Sequence, residues 1–375
     1  MDRQTFTLGR ILGIPVGVDL SWLLIFALLT WLLAAGYYPD QFRTWPVALY
    51  WLAGALTAIV FFISVLLHEL GHSLVARSYH IPVRKITLYI FGGISQIEDE
   101  PHNAREEFWV AIAGPAVSLV LAGFFFALGR IAPGGEFITA LSRYLGVINL
   151  ALGLFNLIPG FPLDGGRVFR AAVWAISKNM RRATLIASNL GRVVAFIFIL
   201  LGVWQLFTGQ LLNGLWIAFI GWFLESAATG QVQQQRIQDL LMGRKVSEAM
   251  SRAYTEISAE TSLQELVDMH ILGSGLRTFI VKQGDKPVGM VTLHRIREVD
   301  RNAWPQTSVA QVMIPIGEIK QVSPGTPLWE ALGEMDRDGV NQLPVVEDHE
   351  IIGMLNRVDV ISFIRTLQEV SRDGR

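Results

Sequence analysis

The chain has 375 residues, 51% hydrophobic and 17% charged, where an ordinary soluble domain carries about 25% charged residues. Its net charge of −1, from 31 basic and 32 acidic side chains, supplies no broad positive field for phosphates, which excludes nucleic acid as a partner. With no cysteine, disulfides, Cys-ligated zinc, iron–sulfur clusters and a thiol nucleophile are excluded, so a bound metal must use His and carboxylate.

The charges are unevenly spread: residues 1–230 hold 27 and residues 231–375 hold 36. The first part reads as membrane and the second as soluble. Six apolar segments, about 15–36, 48–77, 107–129, 137–158, 185–207 and 211–227, approach the roughly 20 residues that cross a bilayer as helix. Arg3 and Arg10 precede the first and Ala34-Ala35-Gly36 follows it, but its apolar run exceeds the roughly 7–15 residues of a signal core, so it is expected to be a retained span. Asp19 near its start reads as a capping or interfacial residue.

The second segment carries His68-Glu69-Leu70-Gly71-His72 directly after an apolar run. Positions four apart share a helix face, so both imidazoles reach one zinc ion while Glu69 stands beside it to take a proton from water. Ionisable groups in an apolar helix are expensive unless paired, hydrated or metal-bound. Next, the runs Ile86–Phe91 and Ile94–Ile97 flank Gly92-Gly93, a pattern for a hairpin with a glycine turn. Its open edge, at Gly92, Gly93 and Ile94, suits the addition of an extended substrate strand; an ordinary hairpin covering the site's mouth is the alternative. His80 and His102 in the same connection read as solvated. In the third segment, Gly114-Pro115-Ala116-Val117-Ser118 reads as close helix packing. No serine here sits in a nucleophile elbow with a spare histidine, which disfavours serine chemistry.

The fourth segment ends in Asn156-Leu157-Ile158-Pro159-Gly160-Phe161-Pro162-Leu163-Asp164-Gly165-Gly166-Arg167, where Pro and Gly break the helix. Irregular backbone at membrane depth must be buried in protein or line a wet cavity. Catalytic zinc takes three protein ligands, and Asp164 is the candidate third; a turn residue before Gly165 is the competing reading. Arg3, Arg10, Arg77, Arg84, Lys85, Arg105, Arg167, Arg170, Lys178, Arg181 and Arg182 flank the spans on one side, against Arg43, Arg130 and Arg143 on the other. The positive-inside rule then places both termini in the cytoplasm of a multi-pass protein of the cell (plasma or inner) membrane.

A polar stretch after Thr229 reads as a linker or surface helix. Beyond it the sequence repeats with a period near 64: Val246–Met250 matches Val309–Met313, Thr261–Leu266 matches Thr326–Ala331, and Val288–Val291 matches Ile352–Leu355. Each copy reads as helix, two short strands and helix. The expected division is residues 1–228 in the membrane, 229–245 as linker and 246–375 as a repeat pair, with copies at about 246–305 and 309–368.

The pair resembles tandem CBS modules, which often bind adenine nucleotides. In nucleotide-binding members an S/T-x-x-D element holds the ribose; Thr292 keeps the first position of one copy and Asp359 the last position of the other, while Arg295 and Asn356 depart from it. The resemblance therefore leaves nucleotide binding and a dimerisation or docking platform both open. The membrane part, with HExxH in one span and N-x-x-P-x-x-P-x-x-D-G two spans later, resembles the site-2 protease family. That resemblance implies one Zn2+ per chain on His68, His72 and Asp164, Glu69 as base, and Asn156 orienting or stabilising the reacting carbonyl. It further implies regulated hydrolysis of transmembrane protein substrates near the cytoplasmic side. The fold expected is a polytopic α-helical membrane protein, six transmembrane helices with a small β-hairpin, followed by a soluble α+β CBS pair that supports a homodimer. The competing function is a CBS-regulated metal-ion channel or transporter.

Overall fold

The computed structural model describes residues 5–90, 92–97, 101–131, 135–274, 276–348 and 350–372. Phe91 of the expected hairpin and Arg3 of the flanking charges lie outside them. The chain divides into two compact units, Met1–Gln235 and Arg236–Arg375.

The first unit opens differently from the expectation of a span from about residue 15. Thr5–Ile11 (β1) and Ile14–Asp19 (β2) form an antiparallel hairpin. Ile14 and Val16 are buried on one face of β2, the two-residue period of a strand rather than the continuous apolar face of a span. Asp19 Oδ1 then accepts the Ser21 N–H at 2.9 Å and caps α1 (Leu20–Leu32). Helix α1 passes through a wider turn, Leu33–Tyr37, into α2 (Tyr38–Gln41), so the span is Leu20–Gln41.

Helix α3 (Val47–Ser78) leads to β3 (Val83–Tyr89) and β4 (Gly92–Ile97). These join the N-terminal hairpin in one sheet of order β1-β2-β3-β4, with β2 and β3 parallel. Tyr89 of β3 pairs with Gly92 of β4. Gly92 and Gly93 therefore lie in β4, not in the turn, and β4 is an outer strand of the sheet.

Helices α4 (Ala104–Ile131), α5 (Gly135–Asn156), α7 (Met180–Phe207) and α8 (Leu211–Leu241) complete the six helices, among the described residues, that are long and apolar enough to cross a membrane. Their outward faces carry exposed Trp31, Val120, Phe124, Leu200 and Trp204, a surface suited to lipid rather than water. Between α5 and α7 lies α6 (Asp164–Ser177), 14 residues long and too short to span. Arg167 and Arg170, counted above among flanking charges, stand on α6, and Arg170 is buried. The polar stretch after Thr229 is helical as far as Leu241.

In the second unit two copies of one motif interlock. Helix α8 is followed by α9 (Val246–Ala249) and β5 (Glu256–Ser258). Then α10 (Leu263–Glu265) runs on through Leu266–Ile271 into α11 (Leu272–Ser274). Strands β6 (Thr278–Gln283) and β7 (Lys286–Thr292), α12 (Leu293–Ile296) and β8 (Ile314–Pro315) finish the first copy's sheet, of order β5-β6-β7-β8. The second copy has α13 (Leu328–Asp338), the β9 (Gln342–Glu347) and β10 (Glu350–Asn356) pair, and α14 (Arg357–Arg372).

The leading segments are exchanged between copies. Val246 and Ala249 pack with Leu328, Met335, Leu343, Leu355 and Val360, and Ser251 bridges to Met354. Reciprocally, Ile314 pairs with Met290 of β7. Ile280, Met290 and Met354 form the seam between the sheets, where the period-matched residues Thr278 and Gln342 hydrogen-bond to each other. Neither copy closes its core alone.

Candidate metal centre

The apolar run before His68 belongs to the spanning helix α3, whose period puts His68 and His72 on its buried face, both about 5% exposed. Their Nε2 atoms lie 3.3 Å apart. Helix α4 fixes both rings. Its Val110 carbonyl can only accept, so His72 Nδ1 donates to it, at 2.7 Å. His68 Nδ1 lies 2.9 Å from Ser118 Oγ. Between these two contacts Gly114 leaves open space: a Cβ there would lie 2.2 Å from His72 Nε2 and 2.6 Å from His68 Nε2. The small-residue stretch read as helix packing thus also makes room beside the imidazoles.

Asp164 arrives from a separate element. After α5, the chain turns through Pro159 and Pro162, with the Phe161 N–H donating to Ala187 O of α7 at 3.4 Å. Leu163 is extended, and Asp164 opens α6. Its Oδ2 lies 3.1 Å from His68 Nε2 and 3.2 Å from His72 Nε2. Tetrahedral zinc with ligand bonds of about 2.0–2.1 Å separates its ligands by roughly 3.3 Å, so the spacing of these three atoms fits that ion. The donor chemistry fits too. With its Nδ1 proton on Val110, neutral His72 turns the Nε2 lone pair toward a carboxylate oxygen, and two acceptors facing each other call for a cation between them.

Glu69 lies beside this triangle under the sheet. A Cβ on Gly93 would stand 2.5 Å from Glu69 Cγ, which is why β4 carries glycine there. The Ser95 backbone N–H approaches the Glu69 carboxylate. Ser73 Oγ donates to the Glu69 carbonyl at 2.8 Å and lies 2.7 Å from Ser95 Oγ. Burial, and then the negative charge of Glu69, push the Tyr89 hydroxyl above its ordinary pKa.

Among the described residues, His68, His72 and Asp164 are the one group of this kind that could hold a metal ion, with Glu69 adjoining it. Asn156 does not enter it; its amide donates to Leu152 O at 3.0 Å at the end of α5. Of the β4 residues, Gly93 lies against Glu69 and Ile94 is exposed. His80 is exposed, and exposed His102 pairs with Glu106. In the second unit Thr292 Oγ1 caps α12 by accepting the Arg295 N–H at 3.5 Å, and Asp359 Oδ2 accepts the Asn356 amide at 2.6 Å. Of the α4 partners, Gly114 and Ser118 read from sequence only as packing residues and Glu107, Val110 and Ala111 stand in no motif, although all five are buried and recur at helical spacing. The buried ion pair of Glu107 with Arg170 went unread.

A model of peptidase family M50 matches residues 56–143 and 132–201, and a CBS domain model matches 246–302 and 309–366. The chain is 35% identical to the protein named zinc metalloprotease Rip3 of Mycobacterium tuberculosis, over 96% of this chain and 93% of that one. It is 34% identical to one named zinc metalloprotease sll0528 of Synechocystis sp., over 97% and 96%. A solved site-2 protease from Methanocaldococcus jannaschii is 29% identical, covering 61% of this chain and 95% of its own, with a TM-score of 0.43. The chain belongs to peptidase family M50, the site-2 protease family of zinc metalloproteases, and carries a CBS domain pair. It is a multi-pass membrane metalloprotease.

Proposed function

We propose that this chain hydrolyses peptide bonds of transmembrane proteins near the cytoplasmic side of the cell membrane, at one zinc ion held by His68, His72 and Asp164. The observation that carries the reading is the convergence of their ligand atoms at 3.1–3.3 Å. Bound zinc lowers the pKa of its water toward about 7 and polarises the scissile carbonyl. Glu69 takes a proton from the attacking water and delivers it to the leaving amide nitrogen. Gly93 and Ser95 hold the Glu69 side chain at the sheet, and the outer strand β4, at Gly92, Gly93 and Ile94, receives the unwound substrate segment through main-chain bonds. Asn156, close to the loop that delivers Asp164, contacts the substrate carbonyl once its amide leaves Leu152.

The working division is residues 1–228 for proteolysis, 229–245 as connection and 246–375 as the regulatory CBS pair. The excess of Lys and Arg in alternate connections supports termini in the cytoplasm. The CBS pair binds one adenine nucleotide through the copy that keeps Asp359, and mediates a homodimer.

The test is Glu69→Gln in detergent-purified protein beside a transmembrane substrate. Retained zinc with lost cleavage is expected. Unchanged cleavage overturns the assignment of the base, and unchanged zinc content in Asp164→Ala overturns the ligand set. A metal transporter binds zinc too, but does not need Glu69 as a base.

A further inference from the structure

Helix α6 carries Asp164 at its first turn and Arg170 near its middle. Arg170 Nε donates to Glu107 Oε1 of α4 at 2.6 Å, and its Nη2 joins the same oxygen. Glu107 is 0% exposed and Arg170 5% exposed, a desolvated pair in which one carboxylate oxygen accepts from two guanidinium N–H groups. The Arg170 guanidinium also lies over the Phe161 ring, 5.2 Å from its centroid. Phe161 belongs to the Pro-rich loop that brings the chain to Asp164. One side chain thus fastens α4, the loop and α6 together.

The position of Glu107 on α4 gives this contact its meaning. Glu107, Val110, Gly114 and Ser118 follow at helical spacing, all buried on one side. Val110 and Ser118 hold the two imidazoles, and Gly114 makes room beside them. Over about 16 Å of axis, at 1.5 Å per residue, α4 is a template that sets the histidines directly. The third ligand lies on a different helix, and the Glu107–Arg170 pair is its link to the same template.

We infer that Glu107 and Arg170 are positioning residues for the metal centre: their ion pair docks α6 so that Asp164 meets His68 and His72 with its geometry already formed. This inference rests on the proposed zinc ligand set. Outer partners of metal ligands are typically worth about 10- to 100-fold in metal affinity, and the pair acts at the next remove through backbone placement. Its expected effect lies in the same range.

The test compares full-length wild type, Glu107→Gln, Arg170→Met and the double variant Glu107→Met/Arg170→Met in detergent. Zinc affinity is read by chelator competition, and thermal unfolding is followed without metal. The double variant removes both charges of the pair, while Arg167, which also faces Glu107, keeps Asp164 and Glu69 as nearby carboxylates, and such apolar replacements keep proteins folded. The inference expects zinc affinity about 10- to 100-fold weaker in the double variant, with a metal-free transition like that of wild type. Wild-type affinity in the folded double variant overturns it. So does failure of the double variant to fold, which assigns the pair to stability alone. Wild type that binds no zinc, or Asp164→Ala that binds it normally, instead refutes the ligand set, so the two failures are separable.

Discussion

Gly114→Ala is the sharpest perturbation of the metal centre, because it adds one methyl group and removes nothing. The new Cβ would lie 2.2 Å from His72 Nε2 and 2.6 Å from His68 Nε2, whereas ordinary contact begins at 3.4 Å. Each ring must retreat by about 1 Å, several times the roughly 0.2 Å within which metal–ligand distances are held. Neither ring can move freely, since His72 Nδ1 is bound to Val110 O and His68 Nδ1 to Ser118 Oγ. Zinc affinity is therefore expected to fall by at least about 100-fold, the upper range for loss of a ligand's supporting contact. Helix propensity moves the opposite way, favouring Ala over Gly in a helix interior by about 1 kcal/mol. Displacing two held rings costs about 1–3 kcal/mol as overpacking does, so the metal-free protein should unfold at or slightly below the wild-type temperature while chelator competition shows weakened zinc binding and cleavage is lost. Wild-type zinc affinity in Gly114→Ala would refute the placement of the ion beside this face of α4.

Gly93→Val places a side chain where Cβ already approaches Glu69 Cγ at 2.5 Å; displacement of the carboxylate by about 1 Å predicts a loss near 100-fold in kcat with zinc content unchanged, read by turnover beside metal analysis. In the CBS pair, Gly289 lies against Ile314 O and Gly353 against Ser251 O, with virtual Cβ contacts of 2.6 and 2.7 Å. Gly289→Val and Gly353→Val should each destabilise the second unit, by about 1–3 kcal/mol as overpacking does, in near-equal measure, followed by chemical unfolding. Titration calorimetry with AMP should show binding that Asp359→Ala removes; absence of heat from wild type leaves the pair as a dimerisation platform.

Side chains on one element were legible from sequence; relations between elements were not. His68, Glu69 and His72 share a helix, so spacing alone placed them. Asp164 was reachable because an incomplete zinc valence and a helix-breaking segment narrowed the choice. The Val110 carbonyl has no letter of its own, and Gly114 acts by lacking a side chain, so neither announces itself. Ser118 reads from sequence as part of a small-residue packing stretch, and its service to His68 needed the α3–α4 register. The N-terminal hairpin was hidden because the strand period of Ile14 and Val16 runs directly into the apolar residues of α1, where hydropathy merges them. Gly92-Gly93 carries a turn signature, but the approach of Glu69 to Gly93 makes the glycine necessary inside the strand.

The other buried polar contacts of the spans sharpen the contrast with this centre. Tyr38 Oη meets Thr57 Oγ1 at 2.6 Å, Ser64 Oγ returns to Val60 O, and the Asn149 amide donates to Leu145 O. Each of these contacts pairs a donor with an acceptor. At the metal centre His72 donates outward to Val110 O and His68 Nδ1 is engaged by Ser118 Oγ, while the Nε2 atoms and a carboxylate oxygen face one another. A protein selected only to bury these groups would have turned a donor inward. A cation satisfies all three of these groups at once, and it follows that removing zinc should loosen α6 against α3 and α4 more than it loosens the Tyr38–Thr57 contact. Amide hydrogen exchange with and without chelator measures that difference; equal protection of both regions after zinc removal would count against a cation-held centre.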